Sequence, residues 1–245
     1  MPPMTQIVRV IDLETTGSRP PADAVVELGW QDVAFDGQRW HVTDSRGAVL
    51  VDPQRPIPSR TQAVHHITDE DVAGQALWEQ AAPPVLAAPG IVALAAHRVE
   101  FERRWCVDAL TGGLPWVCTY KCALRLWPGL PSHSNQGMRY ERRPAGLDRA
   151  LGLPAHRAGP DAYVTAHHLR DQLDEAGLEQ LLAWTAEPAL LVRVPFGPYR
   201  GRAWRDLDDD ALHAVLDKNS DRDVRFTARA ELDRRGVAGP QPALL

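Results

Sequence analysis

Residues 7–16, Ile-Val-Arg-Val-Ile-Asp-Leu-Glu-Thr-Thr, read as a buried β-strand that ends in two carboxylates. Successive strand residues point to opposite faces, so Val8, Val10, Asp12 and Glu14 share one face while Ile7, Ile11 and Leu13 share the other. Two carboxylates at the end of an apolar strand lose hydration and repel each other, so one would normally take up a proton. A divalent cation removes both problems, because carboxylate oxygens are natural ligands of Mg²⁺ or Mn²⁺. The plainer alternative is a polar strand end opening into a Thr-Gly turn at residues 15–17.

The pattern that follows indicates an α/β layer with a mixed sheet. Strands are expected at 25–35 and 40–51, with Asp36-Gly37 as a hairpin signal between them. Residues 61–72 read as a helix punctuated by a cap-like Thr68-x-x-Asp71. A short apolar run at 91–96 reads as a buried strand, 100–110 as a helix, 116–118 as a strand and 119–127 as a helix. Residues 130–144 are polar, rich in turn formers, and expected to be a loop over the cleft. Two further helices are expected at 146–151 and 161–173, the second with Ala162, Ala166, Leu169 and Leu173 as its apolar stripe. A boundary is expected near Glu187-Pro188. Beyond it lie a turn-rich aromatic and basic patch at 194–202 and helices at about 208–216 and 223–235, with aspartates in front and arginines behind, as the helix dipole favours. There is no internal repeat.

Composition narrows the function classes. The 245 residues are 44% hydrophobic and 24% charged, as in soluble globular proteins. No stretch approaches the roughly 20 apolar residues needed to span a bilayer, and the opening Met-Pro-Pro-Met-Thr-Gln lacks the regions of a secretion signal. Cys106, Cys118 and Cys122 leave an odd thiol in any pairing, so a reducing cytoplasm is the expected compartment. A net charge of −5 argues against sequence-independent coating of duplexes but leaves room for an enzyme gripping a few nucleotides at one cleft.

Two more signals accompany the opening pair. Ala95-Ala-His-Arg-Val-Glu-Phe-Glu102 stands where a buried strand gives way to a helix, making Glu102 a candidate third carboxylate or a solvated helix start. In His156-Arg-Ala-Gly-Pro-Asp-Ala162, Pro160 and Asp161 suit the first turn of a helix. Asp161 is then either a helix-start residue or a fourth carboxylate. His156 is either a loop histidine or a general base poised near neutral pH.

Together these segments resemble the motifs of the DnaQ-like 3′–5′ exonucleases, in the subgroup with a histidine base (DEDDh). The first reads Asp12-x-Glu14-Thr-x-Gly17 and the third His156-x-Ala158-x-x-Asp161-Ala162, with Val64-His-His-Ile-Thr68 between them. Residues 116–129 and 196–202 are similar to the exodeoxyribonuclease X group within that family. The second motif departs from the family's frequent Ala-His-Asn-Ala-x-Phe-Asp, with Arg98 for the asparagine and Glu102 for the aspartate.

The resemblance implies a ribonuclease H-like fold, a mixed five-stranded sheet flanked by helices, as an exonuclease domain over 6–178 with a small C-terminal exodeoxyribonuclease X-like domain over 188–237. It implies two Mg²⁺ or Mn²⁺ ions held by Asp12, Glu14, Glu102 and Asp161, with His156 as base. Thr15, Thr16, His65, His97 and Arg98 are the expected substrate contacts. Lys121, Arg125, Arg139, Tyr140, Arg142 and Arg143 form a candidate backbone track, and Phe196, Tyr199, Arg200 and Arg202 are either a strand-binding patch or a structural turn. The implied activity is removal of nucleoside monophosphates from single-stranded DNA 3′ ends, in DNA repair, without a membrane or an identifiable protein partner. The alternatives are an RNA 3′-trimming enzyme and a catalytically weakened nucleic-acid-binding module.

Overall fold

The computed structural model describes residues 6–237; the opening segment read above as carrying no secretion signal lies, but for Gln6, outside the described residues. Five strands form one mixed sheet in the order β3-β2-β1-β4-β5. They are β1 (Gln6–Thr15), β2 (Val25–Phe35), β3 (Trp40–Leu50), β4 (Ile91–Ala96) and β5 (Trp116–Cys118). β1 runs antiparallel to β2 and parallel to β4, β3 is antiparallel to β2, and β5 is parallel to β4. The Asp36-Gly37 turn joins β2 to β3, with Asp36 Oδ1 accepting the Gln38 and Arg39 backbone N–H groups.

Both faces of β1 are covered. Ile11 and Leu13 join one apolar cluster with Leu28, Leu86, Leu94 and Trp105, while Val8 and Val10 join another with Ala166, Leu169 and Leu181. Burying such side chains from both faces of a central strand contributes roughly 1.5–3 kcal/mol each and fixes the register, because a one-residue slip would exchange the two faces.

The helices depart from expectation in instructive places. The single helix expected over 61–72 is two short ones, α1 (Ser59–His65) and α2 (Asp69–Val72), parted by His66 at a left-handed φ of 60°. Thr68 does stand at the N-cap position of α2, where the Asp71 carboxylate accepts its N–H. Helix α3 (Trp78–Leu86) has no counterpart in the sequence reading, because Pro83 and Pro84 lie inside it. Residues 100–110 are not one helix but a 3₁₀ turn at Glu102–Arg104 and the single-turn α4 (Asp108–Thr111). After α5 (Thr119–Leu126), the expected loop over 130–144 contains α6 (Asn135–Arg142), whose Ser134 caps the Gly137 N–H. The helix expected at 146–151 is replaced by turns. Helix α7 (Ala158–Ala186) is far longer than 161–173 and breaks direction at Gly177, where φ is 75°.

Past Ala186 a separate apolar cluster forms around Val194, Trp204, Leu212, Val224 and Leu232, built on α8 (Asp209–Lys218) and α9 (Arg222–Arg234). Among the described residues no helix is long and apolar enough to cross a membrane. The three cysteines are free and buried.

Candidate nuclease site

The site gathers where the C-terminal end of β1 meets the first turn of α7. Gly29 on β2, the ladder partner of Asp12, makes this possible: a Cβ there would overlap the Ala158 carbonyl. The N-terminus of α7 therefore lies directly on the sheet beside β1. Ligand oxygens of Asp12, Glu14 and Asp161 come within 4.8 Å of one another.

A fourth element clamps this junction. Glu27 stands opposite Glu14 in the β1–β2 ladder and is buried. Its carboxylate accepts Arg157 Nε at 3.0 Å and the Ala158 N–H at 2.8 Å. It thus caps α7 from the sheet and holds a guanidinium beside the carboxylates. Asp161 Oδ2 accepts the His156 N–H at 2.7 Å, which ties the loop before the helix to the same oxygen set. His156 itself adopts a left-handed φ of 61°, and its imidazole is exposed, with no hydrogen bond among the described residues.

The electrostatics are those of carboxylates short of positive charge. Burial, then the charges of Asp161, Glu14, Glu102 and Glu27, hold Asp12 well above the carboxylate range. Glu14 is raised to about 8 by burial, with Asp161 and Glu27 adding and Arg157 opposing. Glu102 lies outside the compact trio but near enough for its charge to reach Asp12; burial raises it to about 8, and its Oε2 is buried without a hydrogen-bond partner. Among the described residues no salt bridge compensates Asp12, Glu14, Glu102 or Asp161. Clustered hard oxygens, raised affinities for protons and an orphaned buried carboxylate oxygen fit a divalent cation.

The expected substrate contacts divide. Glu14, Thr15 and His65 line one groove of about 520 Å³ with Arg19, Arg60 and Val64. His65 is buried, its Nδ1 accepting the Ile67 N–H while its Nε2 has no partner. Thr16 lies beneath the surface with its hydroxyl accepting the Ala24 N–H, so it shapes the turn. His97 has both nitrogens engaged: Nε2 donates to the His133 carbonyl at 2.9 Å and Nδ1 accepts from the Thr119 hydroxyl at 3.0 Å. Burial drives it down to about 3, a neutral tie between β4, α5 and the loop before α6. Arg98 is exposed, with its guanidinium 3.8 Å from the Tyr120 ring centroid and no carboxylate partner, so it does not compete for the acidic cluster.

Most of the expected basic track is structural. Lys121 pairs with Glu100, Arg125 with Glu187 and Arg142 with Asp171, while buried Arg139 donates to the carbonyls of Gly152 and Arg149. Sequence reasoning also missed four residues. Gln136 Nε2 donates to Asp161 Oδ1 at 2.6 Å, and Asn135 Nδ2 to the Asp161 carbonyl at 3.1 Å. The available signal was Ser134, a good N-cap preceding them. Glu27 and Arg157 left no local signal, since their partnership spans the fold.

Comparison with known proteins agrees with this geometry. Residues 9–169 match the RNase T family model, described as an exonuclease. The chain is 35% identical over 203 residues to exodeoxyribonuclease 10 of Escherichia coli K12, covering 82% of this chain and 85% of that protein. It is 28% identical to the DNA polymerase III epsilon subunit of Treponema pallidum, over 65% of this chain and 76% of that one. A solved structure of exonuclease X with 5′-overhanging duplex DNA superposes with a TM-score of 0.59 at 33% identity, covering 73% of this chain and 99% of that one. E. coli exonuclease I with a dA16 oligonucleotide shares the fold, with a TM-score of 0.51 at 15% identity over 73% of this chain and 42% of that one.

Proposed function

Since the chain belongs to the DnaQ-type exonuclease family, we propose that it is a cytoplasmic, divalent-cation-dependent 3′–5′ exodeoxyribonuclease that releases nucleoside monophosphates from single-stranded DNA ends in DNA repair. The convergence of Asp12, Glu14 and Asp161 on one point carries this reading. These three and Glu102 would hold two Mg²⁺ or Mn²⁺ ions. Such ions, when bound, supply an activated water and neutralise charge on the departing 3′ oxygen. His156, free on its loop and tethered through its own N–H to Asp161, would take the proton from the attacking water. The groove beside Glu14 would receive the terminal nucleotide, with exposed Val64 offering an apolar face to the base and Arg19 and Arg60 facing phosphate. Residues 6–178 would carry the activity and 188–237 would form an appended domain. DNA rather than RNA is favoured because the relatives are named or solved as DNA enzymes.

The test is incubation of 5′-labelled single-stranded DNA and RNA of equal sequence with Mg²⁺, Mn²⁺ or EDTA. A cation-dependent 3′-shortened ladder on DNA is expected, lost in Asp12→Ala and His156→Ala, with Glu102→Asp equal or more active. Shortening of RNA alone would replace the substrate, and shortening of neither would overturn the reading.

A further inference from the structure

The C-terminal unit takes no part in the carboxylate cluster, yet it carries cations that its own fold does not explain. Residues 193–203 fold back on themselves, with Val194 N–H donating to the Arg202 carbonyl, Gly201 N–H to the Val194 carbonyl, and an antiparallel bridge between Arg193 and Ala203. The aromatic residues of this hairpin serve the core beneath it, since Trp204 is buried and Phe196 and Tyr199 pack against the same cluster. The arginines do the opposite. Arg193, Arg200, Arg202 and Arg205 are all exposed. Arg193 and Arg202 donate to the backbone carbonyls of Gly201 and Asp206, which holds their guanidinium groups in place without neutralising them. Among the described residues the only carboxylate within 4.0 Å of any of the four is Asp206, at 3.9 Å from Arg205 Nε. Three basic residues of the nuclease body differ: Lys121, Arg125 and Arg142 sit 2.6, 2.8 and 3.1 Å from carboxylates.

Four like charges within residues 193–205 repel each other, and the folded unit leaves that repulsion uncompensated but for Asp206. An extended anion would compensate it. Arg193, Arg205 and Arg234 also line a groove of about 660 Å³, together with Asp206, Glu231 and, from the nuclease body, Gly129. The segment that begins at Gly129 continues to Asn135 and Gln136, which donate to the Asp161 carbonyl and to Asp161 Oδ1, so the chain that lines the groove also reaches the carboxylate cluster. In a chain of net charge −5, a strand needs a local cationic seat.

We propose that this arginine hairpin grips the phosphodiester backbone of the single DNA strand upstream of the 3′ end being cut. The inference rests on the exonuclease reading and names a second contact for the same substrate. Guanidinium groups suit it because their planar donor fork matches phosphate oxygens, and phosphate contacts hold a strand without reading its sequence.

The test uses the full-length protein with Arg200 and Arg205, whose side chains make no hydrogen bond within the hairpin. Binding of long (about 30-nucleotide) and short (about four-nucleotide) labelled single strands and of a blunt duplex is followed by fluorescence anisotropy in EDTA, so that no hydrolysis is needed. The double variant R200Q/R205Q is expected to bind the long strand about tenfold more weakly, with the slope of log affinity against log salt shallower by about 1.4, from ~0.7 per lost phosphate contact. The pair R200E/R205E should lose more, R200K/R205K should restore binding, and the short strand should be unaffected. Unchanged affinity and salt slope in R200E/R205E would overturn the proposal, as would equal losses on long and short strands or a loss confined to the duplex. A wild-type protein that cuts nothing yet shows the expected binding losses would overturn the catalytic reading and leave the hairpin as a single-strand grip alone, without its place relative to a cut end.

Discussion

Arg157 reaches across from the start of α7 to place its guanidinium on the buried carboxylate of Glu27, at 3.0 Å from Nε, although 130 residues separate the two in sequence. The pair joins the strand beside Asp12 and Glu14 to the helix that carries Asp161. Arg157→Ala would leave Glu27 buried next to Glu14 without a counter-charge. The expected cost is about 2 kcal/mol, below the ~3–5 kcal/mol of a fully buried broken pair because the Arg157 side chain is one-third exposed. Strand shortening should fall more than stability does, through kcat rather than KM. Denaturant melts alongside single-turnover kinetics check this, and an unchanged kcat would show that the pair serves stability only.

Gly29 makes a second, independent demand on the same junction. A methyl group there meets the backbone of Ala158 and Gly159, which cannot rotate away as a side chain would. Gly29→Ala should therefore displace the first turn of α7, costing about 1–3 kcal/mol by overpacking and lowering Mn²⁺ affinity together with activity. Calorimetric titration with Mn²⁺ reads the outcome, and wild-type affinity in a folded variant would contradict it.

Acidity provides a test that needs no mutation. Without a cation, the raised Asp12, Glu14 and Glu102 keep protons that the unfolded chain has already released. The contribution of Glu14 and Glu102 to stability is full below the ordinary carboxylate range and lost as pH rises through about 8, and that of Asp12 has the same sign. His97, His167 and His168, driven by burial to about 3, 4 and 4, have the opposite sign: they destabilise the fold as pH falls below 6.5 and are silent above it. Between 6.5 and 8 the carboxylates act alone. The melting temperature in EDTA should fall across that window, and Mn²⁺ should oppose the fall because it binds the ionised carboxylates. A melting temperature that rises through the window in EDTA would refute the assignment.

Arg98 occupies a left-handed φ of 73°, a conformation that asparagine tolerates better than arginine. This gives a backbone reason for the asparagine frequent in the family's second motif. Arg98→Asn relieves roughly 1 kcal/mol of strain and loses a cation–π contact of about 0.5–1 kcal/mol with Tyr120. Stability should change by less than about 1 kcal/mol, with strand shortening undiminished. Loss of shortening in a variant of unchanged melting temperature would mean that Arg98 touches substrate.

What could be read from sequence was local. The strands at 25–35, 91–96 and 116–118 coincide with β2, β4 and β5, because burial on a pleated sheet imposes a short-range apolar pattern. Helix α6 escaped because its local composition is polar; it is anchored by buried Met138, packed with Ala123 and Trp127, and buried Arg139, bonded to the Gly152 and Arg149 carbonyls. Helix α3 escaped because two prolines mask its period.

By itself the sequence determined the inventory of the site: carboxylates at the end of a buried strand, another in the first turn of a helix, and a histidine on the loop before it. Tertiary structure alone decided which of them meet. Asp12, Glu14 and Asp161 converge while Glu102 stands just outside their trio, because Gly29 lets α7 settle onto the sheet and Glu27 with Arg157 fastens it there. It also turned His97 and most of the basic track into structural ties, since His97, Lys121, Arg125, Arg139 and Arg142 each found a partner on another segment of the chain. Charges and carboxylates are properties of residues; their mutual distances are properties of packing, and it is the distances that set proton affinity and cation binding.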